Sequence, residues 1–282
     1  MALLDRLNKF LNLYLSVAGL AARPRLWLPF LIYAFLQLAL LFILARYTHP
    51  LVYSVLSPLI SLFSPEVAER FGHYPNLYFL LPTVFQIARL FVAVILEGLV
   101  IGLTSVMILR LYKSSAGFSG SIGEAAARWP QLAAGWVLIT APLIALGWYL
   151  PEFFADQLIG SPRRLLVFGA GLRLLTVLVY SVFIYALPAV IVFRTNALKG
   201  LWLSFRCFLR YPLFTFFLVF LPYLATVPIS YMIERTDIVV TKFSPELVFY
   251  LLTAGLFVDM LVNFAVTAAA VVFLIEDFTD QV

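Results

Sequence analysis

Six long apolar runs constrain this 282-residue chain more than any other feature of its sequence. They lie at 26–46, 80–111, 131–151, 165–193, 212–233 and 247–275. An α-helix needs about 20 apolar residues to cross the hydrocarbon core of a bilayer, and every run reaches that length. Hydrophobic residues make up 63% of the chain and charged residues 12%, so a water-soluble core could not bury the apolar surface. The sequence therefore predicts an all-α polytopic integral membrane bundle of six transmembrane helices, forming a single membrane domain over 1–282.

Three short basic segments precede the odd-numbered runs, at 1–25, 112–130 and 194–211. In the first of them, leucines and aromatic residues recur every three or four positions, while polar residues occupy the other face. This spacing favours an amphipathic helix lying in the membrane interface. A cleaved signal peptide is the alternative, because the segment combines basic residues with an apolar stretch. We predict three interfacial amphipathic helices in addition to the six spans.

A corner motif, in which an arginine shortly precedes a proline, recurs where each odd-numbered run begins. The three copies are Arg23-Pro24, Arg128-Trp129-Pro130 and Arg210-Tyr211-Pro212. Proline is tolerated in the first turn of a helix, while arginine and aromatic side chains suit the depth of the lipid head groups. We therefore predict that the corner residues anchor the chain to lipid phosphates, namely Arg23, Arg128, Arg210, Trp129 and Tyr211.

The recurrence of this motif predicts a three-fold internal repeat of helix hairpins. The repeat units begin near 1, 113 and 195, which gives units of about 1–112, 113–194 and 195–282. Prolines also recur deeper in the odd-numbered runs, at Pro29, Pro142 and Pro222, where they predict kinks. Internal repeats are common in transporter folds, although repetition does not by itself establish transport.

Lysines and arginines are distributed unevenly between the two sides of the predicted bundle. Eleven lie on the side of the termini and eight on the other side, where Arg89 and Arg173 fall inside apolar runs. The positive-inside rule therefore predicts that both termini are cytoplasmic. We attribute the formal net charge of +5 to helix anchoring at lipid phosphates, and expect no nucleic-acid partner.

Two acidic residues lie deep inside apolar runs and are the strongest candidates for function. Glu97 lies in the second run and Asp259 in the sixth, at similar places in repeats one and three. The functional interpretation is proton coupling or binding of a polar substrate group. The structural interpretation is a neutral acid, or an acid tied to Arg89, Arg173 or Asn263 between helices. The two arginines themselves either extend to the outer interface or form an anion site beneath it.

Two further stretches allow more than one interpretation. Gly98 and Gly102 form a small-residue motif that is typical of close helix packing. The long connection 47–79 is apolar and rich in proline, which predicts short helices in the membrane surface or a cover over a lipid-facing groove or partner surface.

The sequence lacks a recognisable catalytic constellation. Nucleophile-elbow, zincin, phosphate-loop and C-x-x-C motifs are all missing. The chain has one cysteine and two histidines, His49 and His73, without metal-ligand spacing. We therefore expect no catalytic activity, no metal and no cofactor.

Residues 185–212 resemble the membrane-domain family of bacterial glycerophosphoryl diester phosphodiesterases and its free-standing six-span relatives. The matching positions are Leu187, Pro188, Val190, Ala197, Leu198 and Ser204, whereas Phe193-Arg194 departs from the acidic residue usual after the span. The phosphodiesterase of that family is a separate barrel. The resemblance thus implies a membrane module with a lipid-related context, in a bacterial inner membrane.

These patterns lead to one preferred function and one alternative. We expect a non-catalytic inner-membrane protein that binds lipid or serves as a module of a membrane complex. Membrane lipids are the expected partners, with another membrane protein or a second copy of the chain left open. The alternative is a small transporter or exporter in which Glu97 and Asp259 are the intramembrane coupling or substrate sites.

Overall fold

The computed structural model describes residues 2–62, 64–113, 120–158 and 161–278. Over these ranges its regular structure is helical and contains no strand, which confirms the all-α prediction. Residues 114–119 belong to the predicted interfacial segment 112–130 and lie outside the described residues.

The helices follow one another with short connections. In chain order they are α1 (Ala2–Ala21), α2 (Pro24–Ala45), α3 (Pro50–Ser61), α4 (Pro65–Phe71), α5 (Asn76–Tyr112), α6 (Ser121–Ala127), α7 (Trp129–Phe153), α8 (Ala155–Leu158), α9 (Pro162–Phe183), α10 (Ala186–Val192), α11 (Ala197–Arg210), α12 (Pro212–Tyr223), α13 (Val227–Glu234), α14 (Thr236–Lys242) and α15 (Leu247–Phe273). A 3₁₀ turn at Leu224–Thr226 links α12 to α13, and a π-helical turn at Leu274–Phe278 follows α15.

Six stretches of the described chain are long and apolar enough to cross a membrane. They are α2, α5, α7, Arg163–Val192, Pro212–Glu234 and Leu247–Glu276, which we call spans one to six. Each begins and ends within about four residues of the corresponding predicted run. The prediction of a six-span integral membrane protein is confirmed.

Proline begins each odd-numbered span, as the corner motif predicted. Pro24 and Pro212 are the first residues of α2 and α12, and Pro130 is the second residue of α7. A proline in the first turn loses no hydrogen bond, because the amide groups there have no partner within the helix. Each odd-numbered span can therefore begin within three residues of the end of the preceding helix, α1, α6 or α11, without losing a backbone hydrogen bond.

The deeper prolines behave differently from one another. Span five is interrupted, since α12 ends one residue after Pro222 and the 3₁₀ turn follows. Pro29 and Pro142, by contrast, lie inside the continuous helices α2 and α7. The interruption of span five thus lies beside Pro222, and the kinks expected at Pro29, Pro142 and Pro222 stay predictions.

Residue contacts divide the chain into two compact units, which we describe separately. Unit 1 comprises Met1–Pro29, Val94–Tyr223 and Phe264–Val282, and unit 2 comprises Phe30–Ala93 and Leu224–Asn263. The element order is compatible with three hairpins, each preceded by a short helix, but the three-fold repeat itself stays a prediction.

Close packing in unit 1 depends on small residues. A Cβ atom on Gly98 would lie 2.7 Å from the carbonyl oxygen of Leu132, and one on Gly102 would overlap the Leu132 side chain. A Cβ atom on Gly200 would likewise lie 2.7 Å from the carbonyl oxygen of Ala186. The G-x-x-x-G motif therefore lets α5 approach α7 closely, which agrees with the packing interpretation.

The amphipathic helix α11 has its bulky apolar face exposed. Its buried residues are small, namely Ala197, Gly200, Ser204 and Cys207. Leu198, Trp202 and Leu209 are each more than 60% exposed. A soluble protein rarely exposes such a stripe, whereas a helix lying in a membrane interface presents it to lipid.

Unit 2 has a conventional hydrophobic core of aliphatic and aromatic side chains. Tyr47, Phe71 and Leu81 are fully buried in it. The Tyr47 ring packs 4.7 Å from that of Phe71, and its hydroxyl donates to the carbonyl oxygen of Ala68 at 3.2 Å. The connection 47–79 contains the short helices α3 and α4, as predicted. No residue of α3 is buried, although the helix is strongly apolar.

Replacing Gly98 by alanine should destabilise the protein. The added methyl group must displace the backbone of α7, so we expect the free energy of unfolding in nanodiscs to fall by about 1–3 kcal/mol. Gly147→Ala in α7 is the matched control, because a Cβ atom there would meet nothing within 4 Å. Equal stability of the two variants would contradict the packing interpretation of the motif.

Candidate functional site

The charged residues Arg89 and Asp259 form an ion pair between two spans of unit 2. Nη1 of Arg89 on α5 lies 2.8 Å from Oδ2 of Asp259 on α15. Each residue lies about 18–20 Å along its helix from the first residue, at a rise of about 1.5 Å per residue. The sequence analysis offered Arg89 as one possible partner of Asp259, and the structure shows this pairing.

The pair is not sealed inside the protein. The Arg89 and Asp259 side chains remain 28% and 33% exposed. Hydrocarbon chains cannot solvate a charge, and charged groups at this depth normally face water or a polar cavity. The exposed part of the pair therefore requires polar surroundings.

A cavity of about 270 Å³ provides such surroundings. Its polar lining residues come from α5, α15 and the second half of span five: Gln86, Arg89, Thr226, Ser230, Glu234 and Asp259. Gln86 lies three residues before Arg89, so both project from one face of α5. Thr226, Ser230 and Glu234 are spaced by four residues, which gives span five a polar stripe that begins at the last residue of its 3₁₀ turn.

A second, much smaller pocket adjoins the same ion pair. It measures about 10 Å³, and Tyr33, Gln37 and Asn263 line it together with Arg89 and Asp259. Gln37 is only 2% exposed, and within the described part of the chain its Nε2 has no hydrogen-bond partner. A space of this size holds about one water molecule, and a buried amide donor favours an acceptor there. The ion pair thus borders two polar spaces.

The other predicted intramembrane residues, Glu97 and Arg173, belong to unit 1. Glu97 lies within electrostatic range of Tyr180. Neither it nor Arg173 lines the two spaces described above. The structure thus brings Arg89, Asp259 and Asn263 together, whereas Glu97 does not line either space.

Two corner residues bind backbone groups of neighbouring helices in unit 1. Nη1 of Arg128 donates to the carbonyl oxygen of Val190 at 2.9 Å. Nε1 of Trp129 donates to the carbonyl oxygen of Ile95 at 2.7 Å. These bonds tie the start of α7 to α10 and α5, a structural role that the phosphate-anchor hypothesis did not include.

The remaining corner residues stay closer to that hypothesis. Arg23 and Arg210 are exposed, and the Arg210 guanidinium lies 5.4 Å from the centre of the Tyr211 ring. Tyr211 also packs edge-on against Phe273 at 5.7 Å. Arginine side chains at the surface suit phosphate oxygens, and the anchoring role of these residues stays a prediction.

The chemistry of Cys207 argues against a nucleophilic role for this thiol. The side chain is fully buried on α11, and burial raises its pKa to about 12, against the opposing influence of Arg206 and Arg210. The thiol is therefore protonated near neutral pH and unreactive. Among the described residues, no cluster of three or more histidine, cysteine or acidic side chains could hold a metal ion.

Comparison with known proteins adds no relative to this description. No family model, curated protein or solved structure matches the chain. The resemblance of residues 185–212 to the phosphodiesterase membrane-domain family stays a prediction.

Several residues of the candidate site were missed by the sequence analysis. Gln37 and Gln86 are single amides within long apolar stretches, and the Thr226, Ser230 and Glu234 stripe recurs at helical spacing. Both signals can be read from the sequence. Polar residues in spans are costly, so their presence there indicates a structural or functional role. Their convergence was not visible, because it depends on how each helix is rotated about its axis.

A double-mutant cycle should detect the Arg89–Asp259 interaction. Arg89→Gln or Asp259→Asn leaves one charge without its partner and should lower the free energy of unfolding by about 2 kcal/mol. The double variant should lose less than the sum, since the pair is then removed as a unit. Unfolding in nanodiscs measures each value, with Asp237→Asn as a control for loss of an exposed acid. Strict additivity would contradict the interaction.

Proposed function

We propose that this chain is a non-catalytic integral membrane protein that binds the polar head of a membrane lipid in the cavity of unit 2. The observation that carries the proposal is the partly exposed Arg89–Asp259 pair, whose charges face the cavity. A polar group in that cavity solvates the pair more effectively than hydrocarbon does. The polar stripe of span five supplies further hydrogen-bonding groups along the cavity wall.

The borders of the cavity favour a lipid over a purely soluble ligand. Each helix that lines it also carries large apolar side chains that are exposed: Phe91 on α5, Tyr231 and Met232 on α13, and Phe257 and Leu261 on α15. Helices that combine a polar cavity with exposed apolar side chains suit a molecule with a polar head and apolar tails.

The side of the membrane follows from the distribution of basic residues. Glu234, the last residue of span five, lines the cavity. Because successive spans cross the membrane in opposite directions, this end of span five is expected on the side opposite the two termini. With both termini cytoplasmic, the cavity serves the outer leaflet of a bacterial inner membrane. Another membrane protein or a second copy of the chain are the alternative partners, and both would appear as added mass in the experiment below.

Filling the cavity should remove the bound lipid. Ser230→Phe places a ring in the cavity, and we expect about tenfold less lipid retained per protein molecule in native mass spectrometry from mild detergent. Ser230→Ala removes the hydroxyl without filling the space and should retain more lipid than Ser230→Phe. Equal retention by the two variants, or no lipid on the wild-type protein, would refute the proposal.

Lipid transport is a second candidate function, and the interruption of span five favours it. Transporters often place their sites at broken helices, and the break at Leu224–Thr226 adjoins the cavity. The pocket of Gln37 and Asn263 lies beside the same ion pair, so movement of the pair would join two polar spaces. Two polar spaces that can be joined are expected of a transport path, whereas a closed binding site needs only one.

Transport predicts that the two intramembrane acids behave differently. Asp259→Asn should abolish translocation of an acyl-labelled phosphatidylethanolamine between the leaflets of proteoliposomes, because Asp259 borders both polar spaces. Glu97→Gln is the matched control and should translocate lipid like the wild type, because Glu97 lines neither space. Absence of translocation by the wild-type protein would leave lipid binding as the function and exclude transport of this lipid.

A further inference from the structure

We propose that the small pocket beside the ion pair binds one water molecule, which links Gln37 on α2 to Asp259 and Asn263 on α15. The site is distinct from the larger cavity of unit 2, because Gln37 and Asn263 line the small pocket only. Occupation of this site by water therefore does not depend on the lipid proposed above.

The pocket lies between one face of α2 and one face of α15. Its lining residues on these two helices are Phe30, Tyr33, Ala34 and Gln37 on α2, and Leu256, Asp259, Met260 and Asn263 on α15. Each set follows the spacing of three and four residues that places side chains on one side of a helix. Arg89 of α5 completes the wall, which therefore combines apolar side chains with a few polar ones.

The amide of Gln37 needs a partner that the protein does not supply. The side chain is 2% exposed, and no group in the described ranges accepts a hydrogen bond from its Nε2. A buried donor without an acceptor costs free energy, and nearly all such groups in folded proteins have a partner. Because water both donates and accepts, one molecule in the pocket satisfies this amide in either of its two orientations.

The size and the charge of the pocket favour water over an ion. Its volume of about 10 Å³ is close to that of one water molecule. Arg89 and Asp259 bring opposite charges that already pair at 2.8 Å, so the described lining residues carry no formal net charge for an ion to neutralise. A metal cation would be repelled by the Arg89 guanidinium, and an anion by the Asp259 carboxylate. A small neutral molecule meets neither penalty.

Asp259 and Asn263 supply the further partners that a buried water needs. Buried water molecules typically make about three hydrogen bonds. Asp259 accepts a hydrogen bond from Arg89 through Oδ2, and a carboxylate has room for several donors. Asn263 lies four residues later on the same face of α15 and carries both a donor and an acceptor. Together with Gln37, these side chains give the water three polar partners.

This water would join three spans at one polar centre. Arg89 already connects α5 to α15, and the water adds α2 through Gln37. Hydrogen bonds between spans stabilise helix association in lipid, where the hydrophobic effect contributes little. The polar residues of this centre would therefore stabilise unit 2 in addition to its apolar core.

Gln37→Met tests the site, because methionine keeps the length of the side chain and removes its hydrogen bonds. In a dry pocket, the variant would lose an unpaired donor and would be at least as stable as the wild type. With a bound water, it loses a hydrogen-bonded link, and we expect the equilibrium constant of unfolding in nanodiscs to rise by about tenfold. A variant as stable as the wild type, or more stable, would overturn the proposal.

Gln86→Met is the matched control, because it makes the same substitution in unit 2 at an amide that is exposed. It should change the equilibrium constant of unfolding by about twofold at most. An equal rise in both variants would show that loss of any amide destabilises this unit, and it would contradict a specific water at Gln37.

A crystal structure grown from lipid, at a resolution that shows ordered water, gives the direct observation. We expect a density peak within hydrogen-bond distance of the Gln37 amide and of Asp259 or Asn263. An empty pocket beside well-defined water elsewhere would overturn the proposal, as would a peak with the coordination of a metal ion or of chloride. The same peak should be missing from Gln37→Met, and its persistence there would show that Gln37 does not bind the water.

Discussion

The inability of hydrocarbon to accept or donate hydrogen bonds is the constraint on which this structure depends. Backbone amides and carbonyls must find their partners within the protein, so each of the six spans is helical. The same constraint explains where a span is interrupted. The 3₁₀ turn at Leu224–Thr226 follows Pro222 and contains Thr226, the first residue of the polar stripe that continues at Ser230 and Glu234. Polar side chains and irregular backbone therefore occur together in this part of the chain.

Close helix approach and large buried side chains both contribute to packing in this protein. Lipid is as apolar as leucine, so the hydrophobic effect does little to hold spans together. Unit 1 brings backbones close through Gly98, Gly102 and Gly200, where a single Cβ atom would collide with a neighbouring helix. Unit 2 packs large side chains around Tyr47 and Phe71.

The sequence predicted the spans well and the site only in part, for physical reasons. Span boundaries depend on the length of each apolar run, which can be read directly from the sequence. Proline in the first turn additionally marked the starts of α2, α7 and α12. Glu97 and Asp259 looked equivalent because both are acids in apolar runs, but their surroundings depend on helix rotation and neighbours. Arg89 was correctly named as one of several partners for Asp259. Gln37 was overlooked because a lone amide has little weight in a hydropathy pattern, although it is buried beside the pair.

The corner at Arg128 and Trp129 has a consequence for the order in which the membrane protein is assembled. Trp129 binds the carbonyl oxygen of Ile95, 34 residues earlier in the chain, which the ribosome has already made. Arg128 binds that of Val190, 62 residues later, when the third span has already left the ribosome. When the third span enters the bilayer, the Trp129 hydrogen bond to Ile95 can already form. The Arg128 hydrogen bond to Val190 can form only after the fourth span has been synthesised. Cotranslational insertion and final docking of this helix are thus separate events.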